Sequence, residues 1–407
     1  MNAPATAPAS FAGVGYEEAL QRARDLVPAL RERAARAEEA RILLPETIAD
    51  LNRTGLMRVL QPRRWGGMEF DYIAYVDVPE MIARGCASTG WNVGNLLIHH
   101  WMLALYDEKA QQEVWRDNPD ALIASGIAYP QGNGKKAPGG FTVSGRWNFS
   151  SAVNVADWNM LACMVREGEG LAGDKVIDHR MCLLHKSQYE IVDDWHVLGM
   201  RSTGSMTVVA KDVFVPEHRA LSGYDLRGGV PFPGAKGNPG AVYRIPFSAM
   251  AAHGIGAVAV GNAQAALELS MEAVKNRSTS YQALKMRDIQ TVQLRIGAAG
   301  ARIDAARELL RGNCHEAMDI ARANTSADAP TKLRFKRDLA FAAQLATEAV
   351  DILHAMAGAN GIYDAYPIQR IFRDAHALGG HFSFSTDAQF SAWGLSALGG
   401  EIASPTL

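Results

Sequence analysis

The residues Ser150 and Ser151 stand beside two aromatics, Trp147 and Phe149, at the end of Ala124–Ala152, ASGIAYPQGNGKKAPGGFTVSGRWNFSSA. A flat, redox-active ring suits such a stretch. Aromatic side chains cover the faces of the ring, and hydroxyls and backbone N–H groups meet its polar edge. A surface hairpin with ordinary serines is the plainer reading, because a short motif is a hypothesis until its context agrees. A second chemical pair is His99 and His100. Imidazoles titrate near neutral pH and suit proton transfer. Consecutive helical positions are about 100° apart, so at most one of the two points squarely into a given pocket. For either, a hydrogen-bonded core histidine is the plainer reading.

Three kinds of texture must position these residues. Residues 1–15, MNAPATAPASFAGVG, are small and rich in Pro and Ala, and read as a loose, disordered tail without the pattern of a signal peptide. From Tyr16 to residue 120 the apolar spacing is helical. Pro45 opens one helix and Gly55 closes it, Tyr72–Arg84 is another, and Ala87–Tyr106 carries the histidine pair. Over 121–225 the runs become short and β-prone, separated by Gly, Asp or Lys, which predicts a barrel or sandwich. Residues 226–244 are Gly/Pro-rich and read as a linker. Long helices fill 245–407, with Met250–Asn276, Ile289–Cys314 and Pro330–Met356 the clearest. Segregated runs of this kind indicate an α+β fold and not an alternating α/β one.

Composition excludes several classes. A formal charge of −2 with no Lys/Arg block gives no nucleic-acid surface, and no apolar run reaches membrane-spanning length. The four cysteines are scattered, with no CxxC and no Cys/His cluster, so neither a zinc site nor a disulfide framework is expected and a reducing cytoplasm is the simplest setting. The dinucleotide loop GxGxxG opening a βαβ unit and the phosphate loop GxxxxGK[ST] are both absent.

Four stretches together resemble the acyl-CoA dehydrogenase fold. They are LPETIADLNRTGLMRVLQPRRWGG, RWNFSSA, VLGMRSTGSMTVVAKDVFVPEHRAL (Val197–Leu221) and YPIQRIFRDAH (Tyr366–His376). Their order agrees with that family from about residue 20 to 395. The resemblance implies an N-terminal helical domain, a central β-barrel domain and a C-terminal four-helix bundle. One departure bears on function. Acyl-CoA dehydrogenases take the substrate α-proton with a glutamate, often placed after the last R-D-A motif. The matching stretch here, ALGGHFSF (Ala377–Phe384), has His381 and no carboxylate.

With that departure, the set His99, Ser125, Ser150 and His381 is similar to the oxygenase component of two-component flavin-dependent monooxygenases. That group includes the 4-hydroxyphenylacetate, chlorophenol, resorcinol and hydroxysteroid hydroxylases. The resemblance implies reduced FMN or FAD supplied by a separate NAD(P)H:flavin reductase. It also implies O₂, ortho-hydroxylation of a phenol through a C4a-hydroperoxyflavin, and a homotetramer. It assigns His99 as base for the phenol hydroxyl, with His100 the alternative. His381 is the proton donor across the flavin, and Ser150 the partner of the N5 edge with Ser151 on the opposite face. Trp147 packs along the ring, and Ser125 and Arg244 lie near the substrate. Arg277, Gly358 and Gly361 meet the cofactor of a neighbouring subunit. An acyl-CoA dehydrogenase, a flavin N- or S-oxygenase and a non-catalytic scaffold are the competing expectations.

Overall fold

The computed structural model describes residues 10–168, 175–229, 231–275, 277–278 and 284–402. Residues 1–9 of the expected tail and Val230 of the expected linker lie outside the described residues.

Five helices come first: α1 (Tyr16–Ala40), α2 (Pro45–Thr54), α3 (Ala74–Ala83), α4 (Ala87–Leu103) and α5 (Glu108–Trp115). Pro45 sits in the first turn of α2, where its missing N–H costs nothing, and Gly55 ends that helix in a left-handed conformation. Helix α4 is buried around nearly its whole circumference, as its run of apolar and small residues requires. It packs against α3, a later helix and the first strand. Trp91, Asn95 and His99 fall at i, i+4 and i+8 and so share one face of it.

Among the described residues, eight strands follow: β1 (Ile123–Gly126), β2 (Gly132–Ala137), β3 (Gly140–Ser150), β4 (Trp158–Arg166), β5 (Val176–His185), β6 (Glu190–Val192), β7 (Met206–Pro216) and β8 (Ala220–Ser222). They form one sheet, ordered β6–β7–β3–β2–β4–β5–β8, with β1 parallel to β4. The indole of Trp147 fills its interior and donates to Ala162 O at 2.7 Å. Gly126, Gly132 and Gly145 make room for it, since a Cβ on any of them would come within about 2.7 Å of the ring or its Cβ. Close to Trp147, β3 slips register against β7 between Trp147 and Ser150, and Phe149 takes a positive φ of 64°. This is a β-bulge, which bends the strand and resets which face each following side chain meets.

The C-terminal part comprises α6 (Phe247–Met250), α7 (His253–Lys275), α8 (Gln290–Arg322), α9 (Ala329–Ala357), α10 (Pro367–Gly379) and α11 (Thr386–Ala397). Helices α7, α8, α9 and α10 pack together, and α11 lies on α9. Helix α8 runs two turns past the expected end at Cys314, because Ala317, Met318 and Ala321 continue the buried stripe. The segment between β6 and β7 is tied to this layer. Met200 N–H donates to the buried Asp374 of α10 at 2.6 Å. At Gly199 a Cβ would stand 2.3 Å from Arg373 O, so only glycine lets the segment lie this close to α10.

Candidate active site

Where α4, the sheet, the β6–β7 segment and the end of α10 meet, they enclose a cavity of about 660 Å³. That lies within the range of small-molecule and cofactor pockets, roughly 300–1,000 Å³. Trp91 and Asn95 come from α4, Ser125 from β1, and Ser151 from just past β3. Trp195, Thr203 and Ser205 come from the β6–β7 segment, and His381 from the turn after α10. Among the described residues, none that lines the cavity is an aspartate or a glutamate.

The hydroxyls form one chain. Trp91 Nε1–H donates to Ser151 Oγ at 3.0 Å. Ser151 Oγ lies 2.8 Å from Ser205 Oγ, which lies 2.7 Å from Thr203 Oγ1. Thr203 donates in turn to Met200 O at 2.9 Å. Ser151 is thus the serine on the cavity wall. Ser150 faces the sheet interior, fully buried, and accepts from Asn159 Nδ2 at 3.0 Å. The bulge is the reason. Alternation from buried Trp147 would put residue 149 inside and 150 outside, whereas the register slip turns Phe149 out and Ser150 in. Phe149 reaches the cavity mouth edge-on to Trp195, at 6.0 Å between centroids.

His381 stands against Trp91 edge-to-face at 5.5 Å and against Phe384 at 5.2 Å. Its Nδ1 accepts the Ser383 N–H at 3.2 Å, which leaves the ring hydrogen on Nε2. Burial lowers its pKa to about 4, so the ring is neutral at pH 7. His99 lies one helical turn beyond Asn95 and is not itself among the lining residues. Its Nδ1 is 2.5 Å from Ile123 O, so Nδ1 carries the hydrogen and Nε2 is a bare acceptor. Burial pulls its pKa down to about 4 against the opposing carbonyl contact. His100 turns the other way. It stacks on Trp115 with the rings 9° from parallel and accepts from Trp115 Nε1 at 3.1 Å. Burial, aided by Arg58 and His99, lowers its pKa to about 3.

The remaining expected residues lie off the cavity. Trp147 is sheet core. Arg244 donates to Ala321 O from Nε and Nη2 at 3.1 and 3.0 Å, capping the end of α8, and to Pro239 O. Arg277 meets Asn360 when the Asn360 amide is oriented oxygen-first, which joins it to the turn holding Gly358 and Gly361. Sequence reasoning missed Trp91, Trp195, Thr203 and Ser205. Thr203 and Ser205 stand inside the STGS run of Val197–Leu221, and Trp195 two residues before it, so all three were within reach of that motif.

Comparison with known proteins gives three kinds of match. Family models for the acyl-CoA dehydrogenase N-terminal domain and C-terminal domain match residues 16–117 and 253–386. The flavin-dependent monooxygenase oxygenase subunit HsaA of Rhodococcus jostii (strain RHA1) is 34% identical over 381 residues, 93% of this chain and 98% of the relative. The FADH(2)-dependent resorcinol hydroxylase oxygenase component of Rhizobium sp. (strain MTP-10005) is 33% identical over 378 residues, 91% of each chain. The crystal structure of 3-HSA hydroxylase from Rhodococcus sp. RHA1 superposes with a TM-score of 0.90 at 34% identity, covering 96% of this chain and 99% of that one.

Proposed function

Because the chain belongs to the oxygenase subunits of flavin-dependent monooxygenases, built on the acyl-CoA dehydrogenase fold, we propose that its cavity holds reduced flavin beside a phenolic substrate. The protein is the oxygenase component of a two-component system, working with a separate reductase and hydroxylating an aromatic substrate. The observation that carries this reading over a dehydrogenase is the lining of the cavity. Imidazole and hydroxyl groups stand there, and among the described residues no lining carboxylate is present to take a weakly acidic α-proton.

The residues fit the group. Trp91, Phe149 and Trp195 offer flat apolar surface, and Ser151 offers an unfilled oxygen lone pair at the polar edge. Ser151 therefore takes the N5-edge role that resemblance had assigned to Ser150. Bound there, reduced FMN or FAD would supply the two electrons that activate O₂, one atom of which goes to the substrate and the other to water. His99 does the proton work on the substrate. A phenol has a pKa near about 10 and reacts best at its ortho carbon as the hydroxyl loses its proton. His99, one turn behind the lining residue Asn95, has its hydrogen held at Nδ1 by Ile123 O, so Nε2 is the atom that would take that proton. His381 contributes the opposite polarity, a neutral ring with its donor at Nε2, able to hold or deliver a proton across the cofactor. Trp91 and Phe384 pack against it and hold the ring in place. Ser125 lines the same cavity and serves as a substrate hydrogen-bonding group.

Arg277, Gly358 and Gly361 serve a neighbouring copy in a homotetramer, with the guanidinium on flavin phosphate oxygens. No described helix is long and apolar enough to cross a membrane, and all four cysteines are free, which supports a cytoplasmic setting. The test is anaerobic mixing with photoreduced flavin, then O₂ and a panel of phenols. The reading expects tight binding of the reduced form and a hydroxylated product that needs reductase or pre-reduced flavin. Reduction of bound oxidised flavin by an acyl-CoA would overturn it in favour of a dehydrogenase.

A further inference from the structure

The hydroxyl chain on the cavity wall has a fixed direction, which follows from its two ends. An indole N–H only donates and a carbonyl only accepts. Thr203 gives its hydrogen to Met200 O, so in its contact with Ser205 it must accept. Ser205 thereby spends its hydrogen on Thr203, so in its contact with Ser151 it must accept as well. Ser151 thus spends its own hydrogen on Ser205, and one of its lone pairs takes the Trp91 N–H. What Ser151 has left for the cavity is one lone pair and no donor. Reversing the chain would remove the Thr203 donor from Met200 O.

We propose that Trp91, Ser205 and Thr203 are positioning residues that make Ser151 an acceptor-only hydroxyl, and that this selects reduced over oxidised flavin. The inference rests on the flavin reading above and deepens it. Reduced flavin carries a hydrogen on N5, which the free lone pair of Ser151 accepts. Oxidised flavin presents a bare N5 lone pair, which meets another lone pair. An enzyme supplied with reduced flavin by a partner must bind that form and release the oxidised one, and the chain discriminates between them at the atom that differs. All three residues are buried, and each hydroxyl has its partner within the chain.

The test compares dissociation constants for FMNH₂, measured anaerobically, and for FMN. The proteins are wild type, Ser205→Ala, Thr203→Val and Thr203→Ser. In Ser205→Ala the Ser151 hydrogen has no acceptor behind it and turns to N5 of FMN. In Thr203→Val the anchor to Met200 O is gone and the chain can run either way. The preference for FMNH₂ over FMN should fall on the order of tenfold in both, the worth of one hydrogen bond transferred between ligands. Read as the two-electron potential of bound flavin, that is a shift of about 30 mV. Thr203→Ser keeps the anchor and should keep the wild-type preference. An unchanged preference in both Ser205→Ala and Thr203→Val overturns the proposal. Failure of the wild-type protein to bind FMNH₂ or FMN would overturn the flavin reading itself, and this proposal with it.

Discussion

Two neighbouring serines with opposite surroundings allow a sharp test at single residues. Ser151 faces the cavity, and its loss should leave flavin bound but poorly held at the N5 edge. For Ser151→Ala we expect hydroxylated product per reduced flavin consumed to fall several-fold to about tenfold, the scale of one lost hydrogen bond. Ser150→Ala should leave that coupling unchanged. It removes the acceptor of Asn159 Nδ2 in the sheet interior, so it should lower stability by about 1–3 kcal/mol, read from a denaturant midpoint. The reverse pattern would return the role to Ser150. His99 gives a second prediction. His99→Ala should lower hydroxylation by about 10²–10⁴-fold, the usual worth of a general base, with FMNH₂ affinity little changed. Its pKa near 4 also sets the pH window. The ring stays neutral as pH falls past 6.5, so the rate should hold down to about pH 5 and drop only as pH nears 4. A limb centred on 6.5 would mean that the working imidazole is solvated.

What the sequence revealed of the elements depended on whether the information was local. Helix α2 was legible from Pro45 and Gly55, and the strand cadence from its turn residues. The choice between His99 and His100 was not, since both lie on one helix and only the neighbours, Ile123 O and Trp115, tell them apart. Which of Ser150 and Ser151 faces the cavity was hidden for a related reason. Strand parity is readable, but a bulge at Phe149 shifts it, and no residue in RWNFSSA announces a positive φ. Trp147 looked like a ring-stacking group because its three partner glycines lie on other parts of the sheet. The link between α10 and the β6–β7 segment was equally hidden, and it carries its own prediction. Burial raises the pKa of Asp374 to about 6, against the Met200 N–H that favours the ionised form. The folded pKa is above the unfolded one, so the carboxyl favours folding most at acid pH, and this contribution is lost as pH rises through 6. At pH 8 the buried charge costs about 3 kcal/mol. Asp374→Asn keeps the acceptor for Met200 N–H without the charge. Its Tm should exceed wild type at pH 8, with the gap closing below pH 5. A gap independent of pH would show that the ionised carboxylate is not the cost.

The arrangement of the whole chain was legible because helices, strands and helices occupy separate runs, and the order of four motifs agrees with one fold throughout. The proposed assembly was less so, because the surface proposed to meet other copies reads as ordinary exposed residues. Ile362, Tyr363 and Tyr366 are 75%, 59% and 49% exposed beside the turn that holds Gly358 and Gly361. A cluster of apolar and aromatic residues in water next to Arg277, the proposed phosphate contact, suits a contact between copies. If Arg277 meets the flavin phosphates of a neighbour, its effect must depend on the phosphate and on the assembly together. Arg277→Ala should therefore weaken FMNH₂ binding by about tenfold or more, the scale of a charge-assisted hydrogen bond. It should leave reduced riboflavin, which has the same ring and no phosphate, at wild-type affinity. Light scattering should report the mass of four chains for both proteins, so that the loss is assigned to the contact and not to dissociation. Equal weakening of FMNH₂ and reduced riboflavin would place the effect of Arg277 on the ring cavity, and no weakening of either would remove it from cofactor binding.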